Sequence, residues 1–219
     1  MVRSSVQVAG HRYAGVADDA LISMAYARNA VEGYGLDWGR RGDRVEGFSH
    51  PLWLGVMVVL HGLPLDRLTV PFVLQGLCLL LLVTNVVLCW RYLAGPLGVR
   101  HVGVQAVGLL IIAAYYPLDY WALEGMETGL QAVLLMAVML TLVSLRSREM
   151  HRGHLVLGFL LACCYLVRMD MALLAVVAYV WLWRAGVLAR DRRIWLVGPA
   201  ILVATAIAYQ IFRITYFDA

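Results

Sequence analysis

The sequence predicts an all-α fold, a polytopic transmembrane helical bundle of about six spans. An N-terminal outer-face loop carrying interfacial amphipathic helices precedes the bundle. Three observations predict this. The chain is 62% hydrophobic and only 15% charged, with a mean hydropathy of +0.76; a soluble domain averages about 45–50% apolar and about 25% charged. Apolar stretches of spanning length recur from residue 68 onward. Arginines gather in clusters between them, and such clusters set which side a loop faces.

The first fifty residues are polar, with neither a signal-peptide apolar region nor a spanning stretch before residue 51. Within them VADDALISMAYARNAVEGYGLDW, residues 16–38, reads as a helix. Leu21, Met24, Ala25 and Arg28 fall on one side of it, and Asp19, Ser23 and Tyr26 on another, at i, i+4 and i+7. SHPLWLGVMVVLHGL follows, and Pro51–Leu63 is too short to cross a bilayer. It reads as an amphipathic helix on the outer surface, with Ser49 as N-cap, Pro51 in the first turn, and Trp53 and His61 suited to the interface. Residues 1–66 are thus an outer-face acidic loop, and residues 67–219 a transmembrane module.

In that module Leu68–Trp90, Val102–Leu118, Gly129–Leu145 and Ile194–Phe212 have spanning character. Leu155–Trp183 is interrupted by Arg168 and Asp170, and reads either as one kinked helix or as a hairpin. The arginines decide. Arg91 and Arg100 form one cluster, Arg146, Arg148 and Arg152 a second, and Arg184, Arg190, Arg192 and Arg193 a third. If all three stay cytoplasmic, two spans separate each neighbouring pair. Residues 155–183 then form a hairpin with Arg168-Met169-Asp170 at its outer tip. Each arm has only about 13 strictly apolar residues, so the tip dips below the outer headgroups.

With that topology Asp18, Asp19, Glu32, Asp37, Asp43, Glu46, Asp66, Asp119, Glu124, Glu127, Asp170 and Asp218 fall on the outer side, and only Glu149 and Asp191 inside. A polar active site or cation site on the outer face explains the bias; solvated outer loops explain it more blandly. Asp18 and Asp19 either cap a helix and suit its dipole, or act as a carboxylate pair that deprotonates a hydroxyl or holds a divalent cation. Glu124 and Glu127 start a spanning helix, where acids also suit the dipole. Arg168 pairs with Asp170 or takes a lipid phosphate, which a guanidinium fork fits. Arg213, Tyr216 and Asp218 mark the outer end of the final span.

Other features exclude function classes. The four cysteines lie in apolar stretches and read as buried thiols. His11, His101, His151 and His154 lack metal-ligand spacing, and no basic run interleaved with aromatics points to nucleic acid. There is no Gly-rich phosphate loop, GxSxG or HExxH.

DDALISMAYARNAVEGYGLDW, RVEGFSHPLW, ALEGMETGLQAVLL, LVRMDMALL and FRITYFDA stand in that order. Together they resemble the bacterial membrane glycosyltransferases of the GT-C superfamily, nearest to the actinobacterial arabinofuranosyltransferase type. The resemblance covers essentially the whole chain. It implies transfer of a sugar, a pentofuranose such as arabinose among the candidates, from a polyprenyl-phosphate donor to a hydroxyl of cell-envelope glycan. The reaction would lie at the outer face of the plasma membrane, with a glycan or lipid-linked acceptor and membrane lipids as partners. The same resemblance implies Asp18 and Asp19 as catalytic acids, with a divalent cation (Mg, Mn or Ca) as the one cofactor. It implies Arg168 and Arg28 for the donor phosphate, and Glu46, His50, Glu127, Asp170 and Tyr216 for substrate. Three departures stand out: Met169 and Met171 replace the turn formers of the family's tip motif, a polar Met1–Gly15 stands where a first span belongs, and the chain stops at YFDA. The expectation is a chain incomplete at both ends, with a transporter subunit and a non-catalytic remnant as rival readings.

Overall fold

The computed structural model describes residues 5–8, 10–39, 44–147, 152–189 and 192–217. Expectations that rest on Asp43, Arg148, Glu149, His151, Arg190, Asp191 and Asp218, or on the side chains of His11 and Arg192, lie outside the described residues. Among the described residues the fold is all-α apart from one small antiparallel hairpin, β1 (Ser5–Val8) and β2 (His11–Ala14).

α1 (Asp18–Val31) and α2 (Pro51–His61) form a polar-end layer. The N-cap of α1 is Ala17, without a side-chain cap, so Asp18 does not cap. Both aspartates occupy the first turn, where their charge suits the positive helix end. For α2 the N-cap is His50, not Ser49, and Pro51 takes the first position, where its missing N–H costs nothing. Trp53 is 1% exposed rather than at an interface. With Leu54 and Met57 it makes the inward stripe of α2, one turn apart.

α3 (Thr69–Ala94) opens on Asp66, whose carboxylate accepts the Leu68 and Thr69 N–H groups at 2.8 Å and the Thr69 hydroxyl at 2.9 Å. The Thr69 bonds hold the Asp66 carboxyl below the usual range. α4 (Val102–Ala113) and α5 (Tyr116–Leu123) follow, bent by 47° at a break just before Pro117. Proline cannot join the preceding ladder, so the expected single span is broken there. α6 (Thr128–Ser147) and α7 (Gly153–Val167) lead to a single 3-10 turn at Met169–Met171. α8 (Ala172–Arg184) and α9 (Arg192–Phe217) complete the chain described.

The chain reverses at that turn. Gly158 on α7 and Tyr179 on α8, at similar distances from the tip, both meet Gly198 of α9. A Cβ on Gly158 would lie 2.9 Å from the Gly198 Cα, so the two glycines allow the backbones of α7 and α9 to touch. The Tyr179 hydroxyl donates to Ile194 O at 3.1 Å. The interruption at Arg168 is therefore a hairpin and not a kink.

α3, α6 and α9 are long and apolar enough to cross a membrane, and α4–α5 makes a fourth if the bent pair counts as one. α7 and α8, with 15 and 13 residues, fall short of spanning length. Leu80, Val83, Val107, Leu110, Ile207 and Ile214 are exposed on these helices. Water would penalise so large an apolar face, and lipid does not. This is a membrane protein.

The layer shares its core with the apolar helices. Ala20, Met24, Tyr26, Trp53 and Met57 share one core with Leu74 and Cys78 of α3 and Phe217 of α9, so packing continues across residues 66 and 67. α3 and α6 begin, and α5, α7 and α9 end, against this layer. Arg91, Arg100, Arg146, Arg152, Arg184 and Arg193 sit at the opposite helix ends.

Candidate functional site

The site is built around an elbow between α5 and α6. Gly125 turns it with φ +87, and a Cβ there would lie 3.0 Å from Val16 Cγ1 and 3.3 Å from Leu74 Cδ2, so glycine is required. Three elements hold the elbow's carbonyls. Ala17 N donates to Glu124 O at 2.9 Å, Trp53 Nε1 to Gly125 O at 2.9 Å, and Gln75 Nε2 to Leu123 O at 3.1 Å. Glu127 follows directly and is 2% exposed.

A cavity of about 330 Å³ opens beside it, walled by Asp19 and Ser23 of α1, His50, Glu127 and Arg168. Arg168 has extended backbone, which ends α7 and aims its guanidinium at the elbow. Nη1 donates to Glu127 Oε1 at 3.3 Å; Nε and Nη2 donate to Asp170 at 3.3 and 3.4 Å. His50 Nε2 lies 2.8 Å from Ser23 Oγ, and its Nδ1 faces Glu127 Oε2 at 3.9 Å. Burial pushes the His50 imidazole down from its ordinary 6.5, against the pull of Glu127. Oε2 of Glu127 is buried and has no hydrogen-bond partner.

Of the residues expected from sequence, Asp19, His50, Glu127 and Arg168 come together here. Asp170 stands beside them as the outer partner of Arg168, 67% exposed. Asp18 is exposed and is not in the cavity wall. Consecutive helical positions project about 100° apart, so the pair does not present two carboxylates to one point. Among the described residues no group of three or more His, Cys, Asp or Glu could hold a metal ion.

Arg28 is placed elsewhere. It lines a second hollow across α1 with His61 and Arg67, and its buried Nε has no hydrogen-bond partner. Glu46 is gripped by Arg213, whose Nη2 lies 2.7 Å from Oε2, and by the Tyr209 hydroxyl at 3.1 Å. The Tyr216 hydroxyl accepts Leu36 N at 2.8 Å, and the Arg44 guanidinium lies 4.6 Å from its ring centroid. Glu46 and Tyr216 fasten the loop between α1 and α2 to α9 rather than line the cavity.

Two contributors were not singled out in the sequence. Ser23 carries the second polar contact of His50, and its place on the Asp19 stripe was the signal for it. Asn29, fully buried, donates to Asp37 O at 2.6 Å and holds the start of the loop between α1 and α2. No local pattern marks it. The chain matches no family model, no curated protein and no solved structure in the comparisons with known proteins.

Proposed function

We propose that this membrane protein is a glycosyltransferase that moves a sugar from a polyprenyl phosphate to a hydroxyl acceptor of the cell envelope, using the cavity at the end of α1. The observation that carries the reading is a free carboxylate, Asp19, and a guanidinium, Arg168, on the walls of one cavity. Sugar transfer from a lipid phosphate needs both a base and an anion site. The ordered motifs that resemble the GT-C superfamily support the same choice.

Asp19 takes the proton of the acceptor hydroxyl as its oxygen attacks the anomeric carbon. The bond from that carbon to the donor phosphate breaks, and its electron pair goes to the phosphate oxygen. Arg168 meets the charge that develops there. Three of its five N–H groups are committed to Glu127 and Asp170, which leaves two for phosphate.

Short-loop arginines stay cytoplasmic, so the arginine-rich helix ends face inward and the cavity faces out, across the plasma membrane. α7 rises about 22 Å and α8 about 20 Å, less than a hydrocarbon core of about 30 Å. Read as a membrane-inserted hairpin, they give six crossings and leave Arg168 below the outer headgroups, where Glu127 and Asp170 offset its charge.

The test is sugar transfer from a radiolabelled polyprenyl-phosphate sugar in membranes that carry the protein. Asp19→Asn should lose about 10²–10⁴-fold of the rate, while Asp18→Asn stays near wild type. Full transfer by Asp19→Asn would overturn the reading. Solute uptake without any transfer would point instead to a transporter whose path runs past Arg168 and Asp170.

A further inference from the structure

Glu127 has one oxygen that the fold employs and one that it leaves free. Oε1 accepts from Arg168, while Oε2 is buried without a hydrogen-bond partner in a side chain only 2% exposed. A buried carboxylate oxygen is costly to leave unpaired. His50 Nδ1 faces it at 3.9 Å, beyond hydrogen-bond reach.

The other edge of the imidazole fixes what Nδ1 can do. The Ser23 hydroxyl donates to Asp19 O at 3.1 Å. It has one proton to give, so at 2.8 Å it accepts from His50 Nε2. The neutral ring then carries its proton on Nε2, and Nδ1 is an acceptor. His50 and Glu127 both line the cavity, and their acceptors Nδ1 and Oε2 lie 3.9 Å apart, Oε2 at its buried edge. Their spacing suits two neighbouring hydroxyl donors.

We propose that Glu127 Oε2 and His50 Nδ1 form a subsite for a vicinal diol of a carbohydrate ligand, and that protonation of His50 closes it. A protonated Nδ1 is a cationic donor facing Oε2; the ring and the carboxylate draw together across the 3.9 Å gap, and both acceptors are lost in one event. The charged groups facing His50 are Glu127 beside α6, Arg168 at the hairpin tip and Asp19 of α1. Burial keeps the ring neutral at neutral pH, so the subsite is open there and closes as pH falls below 6.5. This deepens the transfer reading by naming the substrate group that the cavity holds, and rests on that reading only for what the sugar is attached to.

The experiment uses the full chain in nanodiscs, with octyl β-D-glucopyranoside as the diol probe and an octyl oligo(ethylene glycol) ether as the diol-free control. Saturation-transfer NMR on the glucose ring protons is followed from about pH 8 to about pH 4.5, bracketing the ordinary imidazole value. The ring signal should be strong at the upper end and lost with a midpoint below 6.5, with no matching signal on the ether head group. Glu127→Gln keeps the shape but not the charge, and should bind about tenfold more weakly. His50→Gln keeps an acceptor oxygen that cannot ionise, and its binding should be flat across the range. A wild-type signal independent of pH, equal saturation of the ether, or Glu127→Gln binding like wild type would each overturn the proposal. Circular dichroism checks folding; should His50→Gln not fold, the wild-type profile and Glu127→Gln still decide. The expected glycoside profile together with normal transfer by Asp19→Asn would sink the transferase reading and leave the subsite standing. Loss of transfer in Asp19→Asn with unchanged Glu127→Gln binding would do the reverse.

Discussion

Two hollows flank α1, alike in size and residue types and unlike in construction. The one beside Asp19 has about 330 Å³, with His50, Glu127 and Arg168; the one beside Arg28 has about 340 Å³, with His61, Glu32 and Arg67. In the second, His61 and Arg67 make contacts that are weak or local. His61 Nδ1 meets Met57 O of its own helix at 2.8 Å, and Glu32 pairs at 3.0 Å with an Arg67 that is 75% exposed. Such a surface pair is worth about 0–1 kcal/mol. In the first hollow the polar groups come from four separate elements, and an elbow held by three hydrogen bonds supports the buried member. A histidine, a glutamate and an arginine around a hollow do not by themselves make a site. Burial and delivery by a fixed scaffold separate the two.

That contrast can be broken at the elbow. Gly125→Ala puts a side chain at φ +87 against Val16, and should cost about 1–3 kcal/mol of stability. Thermal unfolding in nanodiscs reads the loss, and the displaced Glu127 should abolish glycoside binding. Trp53→Phe keeps the packing but removes the N–H bonded to Gly125 O. About 1 kcal/mol should go, again on the Asp19 side alone.

Acid sharpens the contrast further. Burial holds both His50 and His61 below 6.5. Each favours the folded state while neutral, so its contribution is fully present above 6.5 and is lost as pH falls through the folded value. His61→Gln should remove part of the acid loss of stability and leave the glycoside profile untouched, whereas His50→Gln should change both. The smallest effect belongs to Glu32→Gln, which should stay within about 0.5 kcal/mol and leave transfer unaltered.

Much of this contrast can be read from spacing alone. Arg28 follows Asp19 by nine positions, half a turn out of phase at about 100° per residue, so the two could not share a cavity. Leu21, Met24, Ala25 and Arg28 do line one hollow, and Asp19 and Ser23 the other. The apolar runs foretell α3, α6 and α9, and the arginine clusters foretell a reversal at Arg168. Hydropathy could not tell a buried Trp53 from an interfacial one, because the carbonyl that satisfies its indole lies 72 residues away. Nor could it place the break before Tyr116, since hydropathy records that α5 is less apolar than α4 but not that the chain bends between them. Glu46 and Tyr216 stand in suggestive motifs, yet they spend their polar atoms on each other's elements. That choice is made by tertiary contacts between distant segments.

The contacts of α9 also bear on the order in which the protein is assembled. Arg213 and Tyr209 hold Glu46, and Tyr216 holds Leu36, across sequence separations of 163 to 180 residues. A ribosome adding about 5–20 residues per second takes on the order of ten to thirty seconds to deliver that much chain. Through that interval α1 and α2 are already synthesised, while the loop between them has its local bonds to Tyr26 and Asn29 but lacks its fastenings to α9. The segment that lines the cavity through His50 is among the first made and must wait for the final helix to be fastened.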